Sequence, residues 1–429
     1  MTVFYYTFGC KVNTYETDAI KELMQQSGHT ETNDFSLAEV FVINSCTVTG
    51  VADDKLFKLL RRIKRENEKA VIVICGCLPQ VDANNEALKD ADILLGTANK
   101  SQIPEALEKF SECKEKQVLI NPHEKGEKIE ALQVSGRKGK TRAIIKIQDG
   151  CDRFCSYCII PFARGRSRSK PLDEITKEAQ DLVQNGHKEL VLVGINLSCY
   201  GYEWGLNLAD AVEAVCKNSS ALRVRLGSLE PELLTKEIIE RLSKLPQFCP
   251  HFHLSLQSGC NKTLKEMRRK YTKEEYLSLV TELRNSFPNC AITTDIMVGF
   301  AGETEEDFLE SLEFVKEVKF AQAHIFPYSE RPGTVASRRS DQVDVEARHK
   351  RAKIMADATK IAEIEFLEAQ VGLKVPVLFE RDTGSDFHQG HTPNYLTVKV
   401  PKICDTLWKE IKEVEIIGIE NGCCVGRII

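Results

Sequence analysis

Over roughly the first 115 positions, short runs of apolar residues alternate with longer stretches whose apolar positions recur every three or four residues. Thr2–Phe8, Val40–Asn44, Ala70–Cys75 and Ile93–Leu95 are rich in β-branched and aromatic side chains, which predicts strands. Asn13–Ser27, Val51–Asn67, the stretch near Asp82–Lys89 and Ile103–Glu112 carry the helical period. Strands and helices in turn predict a parallel α/β sheet. Residues 117–142 lose the pattern, with Asn121–Pro122, Gly126, Gly136 and Gly139 among scattered Lys and Glu, and read as a linker.

The alternation then resumes on a larger scale. Ala143–Ile147, Glu189–Val193, Leu222–Leu226, Phe252–Leu256, Ala291–Met297 and Gln322–Phe326 are the expected strands, with helices such as Leu172–Gly186 and Lys273–Asn285 between them. Six βα units predict an open barrel, short of the usual eight. A long helix, Glu346–Glu368, follows. Beyond it the period changes to two, at Lys374–Glu380, Tyr395–Val400 and Glu413–Ile419, which predicts a small β-barrel or sandwich. The expected fold is therefore α/β: a parallel α/β domain at 1–116, the linker, a partial (βα)6 barrel at 143–369 and a small β-domain at 370–429.

Composition narrows the class. The chain has 429 residues, of which 42% are hydrophobic and 28% charged, as in ordinary globular proteins. The net charge of −5 gives no overall basic footprint for a nucleic acid. Any RNA contact must rest on local runs such as Arg164–Lys170 and Arg268–Lys270, whose alternative reading is a solvated face. No run of 18 apolar residues and no leader pattern occur, so no membrane association and a cytoplasmic location are expected. In such a compartment sixteen cysteines read as metal ligands or core residues before disulfides.

The spacing of Cys151, Cys155 and Cys158 is C-x3-C-x2-C, directly after a predicted barrel strand. Three thiolates on one loop can hold three irons of a [4Fe–4S] cube and leave the fourth open. A zinc site is the alternative, but zinc usually recruits a second ligand pair downstream. Cys10, Cys46 and Cys77 follow three successive predicted strands, and ligands in open α/β sheets gather at strand carboxyl ends. Three buried core cysteines are the alternative. Cys75 competes with Cys77, which is preferred because it lies in the turn past the strand. Cys113, Cys199, Cys216, Cys249, Cys260, Cys290, Cys404, Cys423 and Cys424 are scattered and expected to be unligated.

These motifs together resemble the radical-SAM methylthiotransferase family. The resemblance lies in Gly9–Thr17, Asn44–Val48, Gly76–Leu78 and the text around Cys151–Cys158, from Gln148–Gly150 to Ile159–Gly165, and covers essentially the whole chain. Ala301 stands where the family usually has proline. Lys11–Val12 after Cys10 resembles the branch acting on N6-threonylcarbamoyladenosine in tRNA rather than those acting on isopentenyladenosine or a ribosomal protein. A non-catalytic iron–sulfur RNA-binding module is a further, less favoured reading.

The resemblance implies two [4Fe–4S] clusters, an auxiliary one on Cys10, Cys46 and Cys77 and one on Cys151, Cys155 and Cys158 that cleaves S-adenosylmethionine to a 5′-deoxyadenosyl radical. Adenine C2–H is too strong and too weakly acidic for acid–base chemistry, so a cofactor must carry that step. Contacts to S-adenosylmethionine are expected from Tyr157, Gly194, Asn196, Ser228, Glu230, Ser255, Gln257, Arg268 and Val298, on or after barrel strands. No catalytic residue beyond the cluster ligands is expected. The C-terminal domain resembles a TRAM domain, and RNA contacts are expected from Arg164, Arg166, Arg168 and Tyr395. The implied partners are the anticodon stem-loop of tRNA, an electron donor such as flavodoxin or ferredoxin, and an unidentified sulfur source.

Overall fold

The computed structural model describes residues 1–48, 50–136, 140–381, 386–402 and 406–429. Gly139 and Cys404 lie outside them. The first sheet has six parallel strands: β1 (Thr2–Thr7), β2 (Thr30–Glu31), β3 (Val40–Ser45), β4 (Val71–Gly76), β5 (Ile93–Leu95) and β6 (Gln117–Leu119), in the order β2-β1-β3-β4-β5-β6. β6, three residues within the expected linker, pairs with β5 and forms the sheet edge. The expected helix near Asp82–Lys89 is instead a short helix, Cys77–Val81, and a single 3-10 turn, Glu86–Leu88.

The barrel strands are β7 (Arg142–Lys146), which runs on into a short hairpin of β8 (Gln148–Asp149) with β9 (Arg168–Ser169), then β10 (Glu189–Val193), β11 (Arg223–Leu226), β12 (Ser228–Leu229), β13 (His251–Leu254), β14 (Ala291–Val298) and β15 (Gln322–Pro327). β11 and β12 are one run broken at Gly227: β11 pairs with β10 and β12 with β13, so the six-stranded half-barrel is parallel throughout. The pleat sorts each strand into two faces. Ile145, Leu190, Leu192, Val224, Leu254 and Ile292 turn outward into the core shared with the surrounding helices. Ile144, Val191, Val193, Arg225, His253 and Asp295 alternate with them and face the lumen.

The last five strands, β16 (Lys374–Phe379), β17 (Phe387–His391), β18 (Thr397–Pro401), β19 (Ile411–Glu420) and β20 (Cys423–Ile428), close into a barrel. It docks beneath the half-barrel, at the N-terminal ends of the strands. Arg223 donates to the carbonyls of His391 and Pro376, and Arg225 to that of Pro393. Among the described residues no helix is long and apolar enough to cross a membrane.

The first sheet covers the opposite end. Thr97 donates to the Ala163 carbonyl, and Arg331 reaches Thr47 and Asp53. Between the two units lies a buried ion network. Glu16, on the helix Lys11–Gln26, meets Arg164 and Lys146 at 2.5 and 2.8 Å and Lys100 at 3.3 Å. Asp149 meets Lys146 at 2.6 Å and Arg164 at 3.5 Å. Burial raises a carboxyl's pKa, but Arg164, Lys100 and Lys146 outweigh it and hold Glu16 well below the usual carboxylate range. Removing one partner of such a pair strands the others. Glu16→Gln should therefore destabilise the protein by about 3–5 kcal/mol, read as a lower midpoint in thermal unfolding of identically prepared samples.

Candidate functional site

Three neighbouring strands deliver the first cysteine triad. Cys10 follows β1 and caps the helix Lys11–Gln26, Cys46 follows β3, and Cys77 opens the helix Cys77–Val81 after β4. The sheet order β1-β3-β4 makes these ends adjacent. Asn13 locks them together: its amide donates to the carbonyls of Phe8 at 2.9 Å and Ser45 at 3.0 Å, while its oxygen faces the Cys10 thiol at 3.6 Å. Ser45 donates to the Cys75 carbonyl and accepts from the Leu78 amide. Gly9, at φ +105°, lies so close that an added Cβ would stand 2.7 Å from Cys46 Cβ and 2.9 Å from its Sγ. Cys75 packs in the apolar core of the sheet, whereas Cys77 is the first residue of the helix that follows the strand.

The second triad occupies one loop. Gly150, at φ +73°, lets the chain pass the Arg166 carbonyl, which an added Cβ would meet at 1.9 Å. Cys151, Cys155 and Cys158 follow within nine residues of that glycine's strand. Asn196 donates to Cys151 Sγ at 3.7 Å, and Arg269 to Cys155 Sγ at 3.5 Å. Arg269 is itself held by Glu230 and the Ser255 carbonyl. Gln148 braces the loop, donating to the Gly150 carbonyl and accepting from the Asn196 amide.

The electrostatics of both triads suit a metal. Burial pushes Cys46 to about 12, Cys151 to about 11 and Cys158 to about 12, with neighbouring thiols adding to the rise. Such thiols stay protonated unless a cation takes the proton's place, as a coordinated metal does outright. Each triad also has a buried guanidinium beside it. Arg269 serves the second. Arg164 serves the first: burial opposes its charge, but Cys77, Glu16 and Asp149 hold it firmly cationic. Each set offers three thiolates, a fit for a cubane with one iron open to another ligand.

The structure redistributes several expected contacts. Asn196 stands beside Cys151 with a buried Oδ1 that no described group satisfies, and so offers an acceptor to a ligand. Gly194 packs against Gln148, whose Oε1 would meet an added Cβ at 2.7 Å. Tyr157 and Gln257 line a cavity of about 220 Å³ with Cys158, Asp295 and Met297. Ser228 is exposed, Ser255 half-buried, and Glu230 is engaged by Arg269.

Five positions need correction. Arg268 is exposed, at φ +59°, because the preceding helix ends and the chain turns; its neighbour Arg269 reaches the thiols instead. Val298 turns outward into the apolar core, one residue out of phase with the cavity-lining Met297. Arg164 and Arg168 are buried, paired with Glu16, Asp149 and Glu127, and present no charge to RNA. Tyr395 is half-buried between the two barrels, stacked on His391 at 4.9 Å with the Arg225 guanidinium 4.5 Å from its ring centre, which leaves its faces occupied. Arg166 alone of that group is exposed, paired with Asp152.

Sequence reasoning missed a polar cluster in the lumen. His253 Nε2 lies 3.2 Å from Asp295 Oδ2, His324 joins them, and Thr293 bridges His251 and His253. The signal was present: alternation along Phe252–Leu256 already turns His253 to the face of Ser255.

Two family models match the chain, the Radical SAM superfamily over residues 145–315 and Uncharacterized protein family UPF0004 over residues 2–96. The chain is 37% identical over 420 residues to the threonylcarbamoyladenosine tRNA methylthiotransferase MtaB of Bacillus subtilis (strain 168), covering 96% of this chain and 93% of that protein. It is 35% identical to the protein of the same name from Aquifex aeolicus (strain VF5), over 93% and 96% of the two chains. It is 34% identical to the tRNA-2-methylthio-N(6)-dimethylallyladenosine synthase of Pelotomaculum thermopropionicum, over 91% and 90%. Among solved structures, the radical S-adenosylmethionine methyltransferase TsrM of Kitasatospora setae, with cobalamin and a [4Fe-4S] cluster bound, shares the fold with a TM-score of 0.58 at 12% identity, over 78% of this chain and 77% of that one.

Gly9→Ala should roughly halve the iron bound per chain, since only the first triad is disturbed. Gly418→Ala, where nothing lies within 4 Å of the added carbon, should leave iron unchanged. Iron and protein assays after anaerobic reconstitution read both.

Proposed function

Because the chain belongs to the radical-SAM tRNA methylthiotransferase family, we propose that it adds a methylthio group to C2 of N6-threonylcarbamoyladenosine at position 37 of tRNA. The observation that carries this reading is the meeting of two cysteine triads at one boundary. The helix Cys77–Val81 of the first triad packs on the helix Ile160–Arg164 that directly follows the second. A base held there would lie within reach of both. The names of the Bacillus subtilis and Aquifex aeolicus relatives support the threonylcarbamoyl substrate, and the Pelotomaculum relative, named for the dimethylallyl substrate, makes it the point to test.

Bound at these triads, two [4Fe–4S] clusters and S-adenosylmethionine would supply the radical that takes hydrogen from C2 and the sulfur that replaces it. The protein's own contribution is binding, orientation and exclusion of water. Asn196 and Arg269 hold two thiols of the barrel triad by hydrogen bonds. Tyr157, Gln257 and Met297 shape the cavity beside Cys158. Asn13 and Ser45 keep the facing triad in register. Asp295, held on one oxygen by His253, lines the cavity beside Cys158 and offers a carboxylate acceptor to the edge of a base. The C-terminal barrel, read as a TRAM domain, would hold the anticodon stem-loop with surface groups other than Tyr395. An outside reductant of the flavodoxin or ferredoxin kind would supply electrons, and the enzyme would work in the cytoplasm where tRNA is.

Nucleoside mass spectrometry of tRNA from cells with and without the protein should show 2-methylthio-N6-threonylcarbamoyladenosine only when it is present. Loss of the dimethylallyl analogue instead would assign the other substrate. Cys155→Ala should abolish reductive cleavage of S-adenosylmethionine. Cys46→Ala should spare cleavage and stop methylthio product, both read by chromatography of 5′-deoxyadenosine and product.

A further inference from the structure

Beside the first triad the lumen holds a second cavity, of about 200 Å³. That is below the roughly 300–1,000 Å³ of a site for a whole small ligand and suits one substituent of a larger one. The N-terminal turn of the helix Lys11–Gln26 forms one wall. Val12 packs there against Val191 and Val193, and Lys11, the residue after Cys10, projects into the cavity. Tyr395 forms the floor, with the Arg225 and Arg142 guanidinium groups 4.5 and 5.0 Å from its ring centre. Ile144, Val191 and Tyr15 supply apolar sides.

The charges around this space do not balance. Lys140 pairs with Asp18 at 2.9 Å, Arg142 with Glu380 at 2.6 Å and Arg225 with Glu189 at 2.7 Å. Burial, then Lys409 and Lys140, push His187 down to about 4, so it is neutral near pH 7. Lys11 has no carboxylate within ion-pair distance among the described residues. One cation is left facing a space with apolar sides and two guanidinium groups in its floor. The chemistry it fits is a single anion small enough for the cavity.

We propose that this cavity receives the carboxylate of the threonylcarbamoyl substituent, with Lys11 as its counter-ion. The inference rests on the reading that N6-threonylcarbamoyladenosine is the substrate. On adenine, C2 and the N6-bearing carbon flank the same ring nitrogen, so a base presenting C2 to the Cys10 triad projects its N6 substituent along the same edge. Lys11 adjoins that triad through one peptide bond. Lys11 is exposed in the free protein; a dimethylallyl group seated in the cavity would displace water from the ammonium and put hydrocarbon in its place, which is costly, whereas a carboxylate satisfies it. Lys11 therefore acts as a specificity-determining residue. A backbone phosphate of the RNA is the other source of a single negative charge, and masking the carboxyl group separates the two.

The test uses the full-length, anaerobically reconstituted protein and two synthetic anticodon stem-loops, one carrying N6-threonylcarbamoyladenosine and one its methyl ester. The wild type should prefer the free acid in kcat/KM by roughly ten- to a hundredfold, as expected for a charge-assisted hydrogen bond. Lys11→Met should bring that preference close to one, and Lys11→Arg should restore most of it. Iron per chain, measured on each variant, reports whether the neighbouring triad is intact. A Lys11→Met protein that keeps the preference overturns the proposal, as does one that loses equally on both substrates, the mark of a phosphate contact. Should Lys11→Met lose iron, the wild-type ratio decides: a value near one rejects the carboxylate pocket. A wild type that modifies a dimethylallyladenosine stem-loop and neither threonylcarbamoyl one overturns the substrate reading, and this inference with it.

Discussion

The buried contact between Glu16 and Arg164 is the constraint on which the site depends. Each charge comes from a different unit: Glu16 from the first helix of the N-terminal sheet, Arg164 from the end of the short helix that follows the second cysteine loop. Sealing them from water is unfavourable unless the partners meet with good geometry. Lys100, Lys146 and Asp149 complete the set, and Asn13 adds a hydrogen bond to Arg164 while clasping two strand ends of the first triad. A shift of one unit against the other would break several of these contacts at once. The relative placement of the two triads is thereby locked by electrostatics as well as by packing.

The same logic recurs on a smaller scale at each set of thiols. Arg269, held by Glu230, lies against Cys155 as Arg164 lies near Cys77. Three thiolates in a dry site accumulate negative charge, and a fixed cation beside each set offsets part of it. Both guanidinium groups are anchored by carboxylates, Arg164 by Glu16 and Arg269 by Glu230.

Much of this was readable in the chain before any coordinates. The strand–helix alternation, the half-barrel and the terminal β-domain follow from hydrophobic period. The Cys151–Cys158 spacing stands out because it is a local pattern, whereas Cys10, Cys46 and Cys77, about thirty residues apart, are open to a core reading until the family resemblance joins them. What escaped was decided by burial or by single-residue phase. Gln117–Leu119 and Phe387–His391 are too short or too polar to signal a strand, and pair because neighbours supply the other half of the ladder. The run from Arg164 to Lys170 looks like a solvated stripe, yet Arg164 and Arg168 are counter-ions to acids brought from more than thirty residues away or from the adjoining hairpin. Arg268 and Val298 each miss the site by one residue, the error that a turn or a pleat produces when its phase is unknown. The unmatched Lys11 is visible only once the helix, the half-barrel and the terminal barrel are assembled around it.

The two triads also differ in how far apart along the chain their members lie. Cys151, Cys155 and Cys158 span a single loop, whereas Cys10, Cys46 and Cys77 stand on three strands. Closing a short loop takes little chain entropy, while gathering distant segments waits on the contacts that join them. The three thiols of the barrel loop are thus brought together by local sequence alone. The other triad becomes competent only after its sheet has condensed, so any metal it takes would report that the sheet is correctly folded.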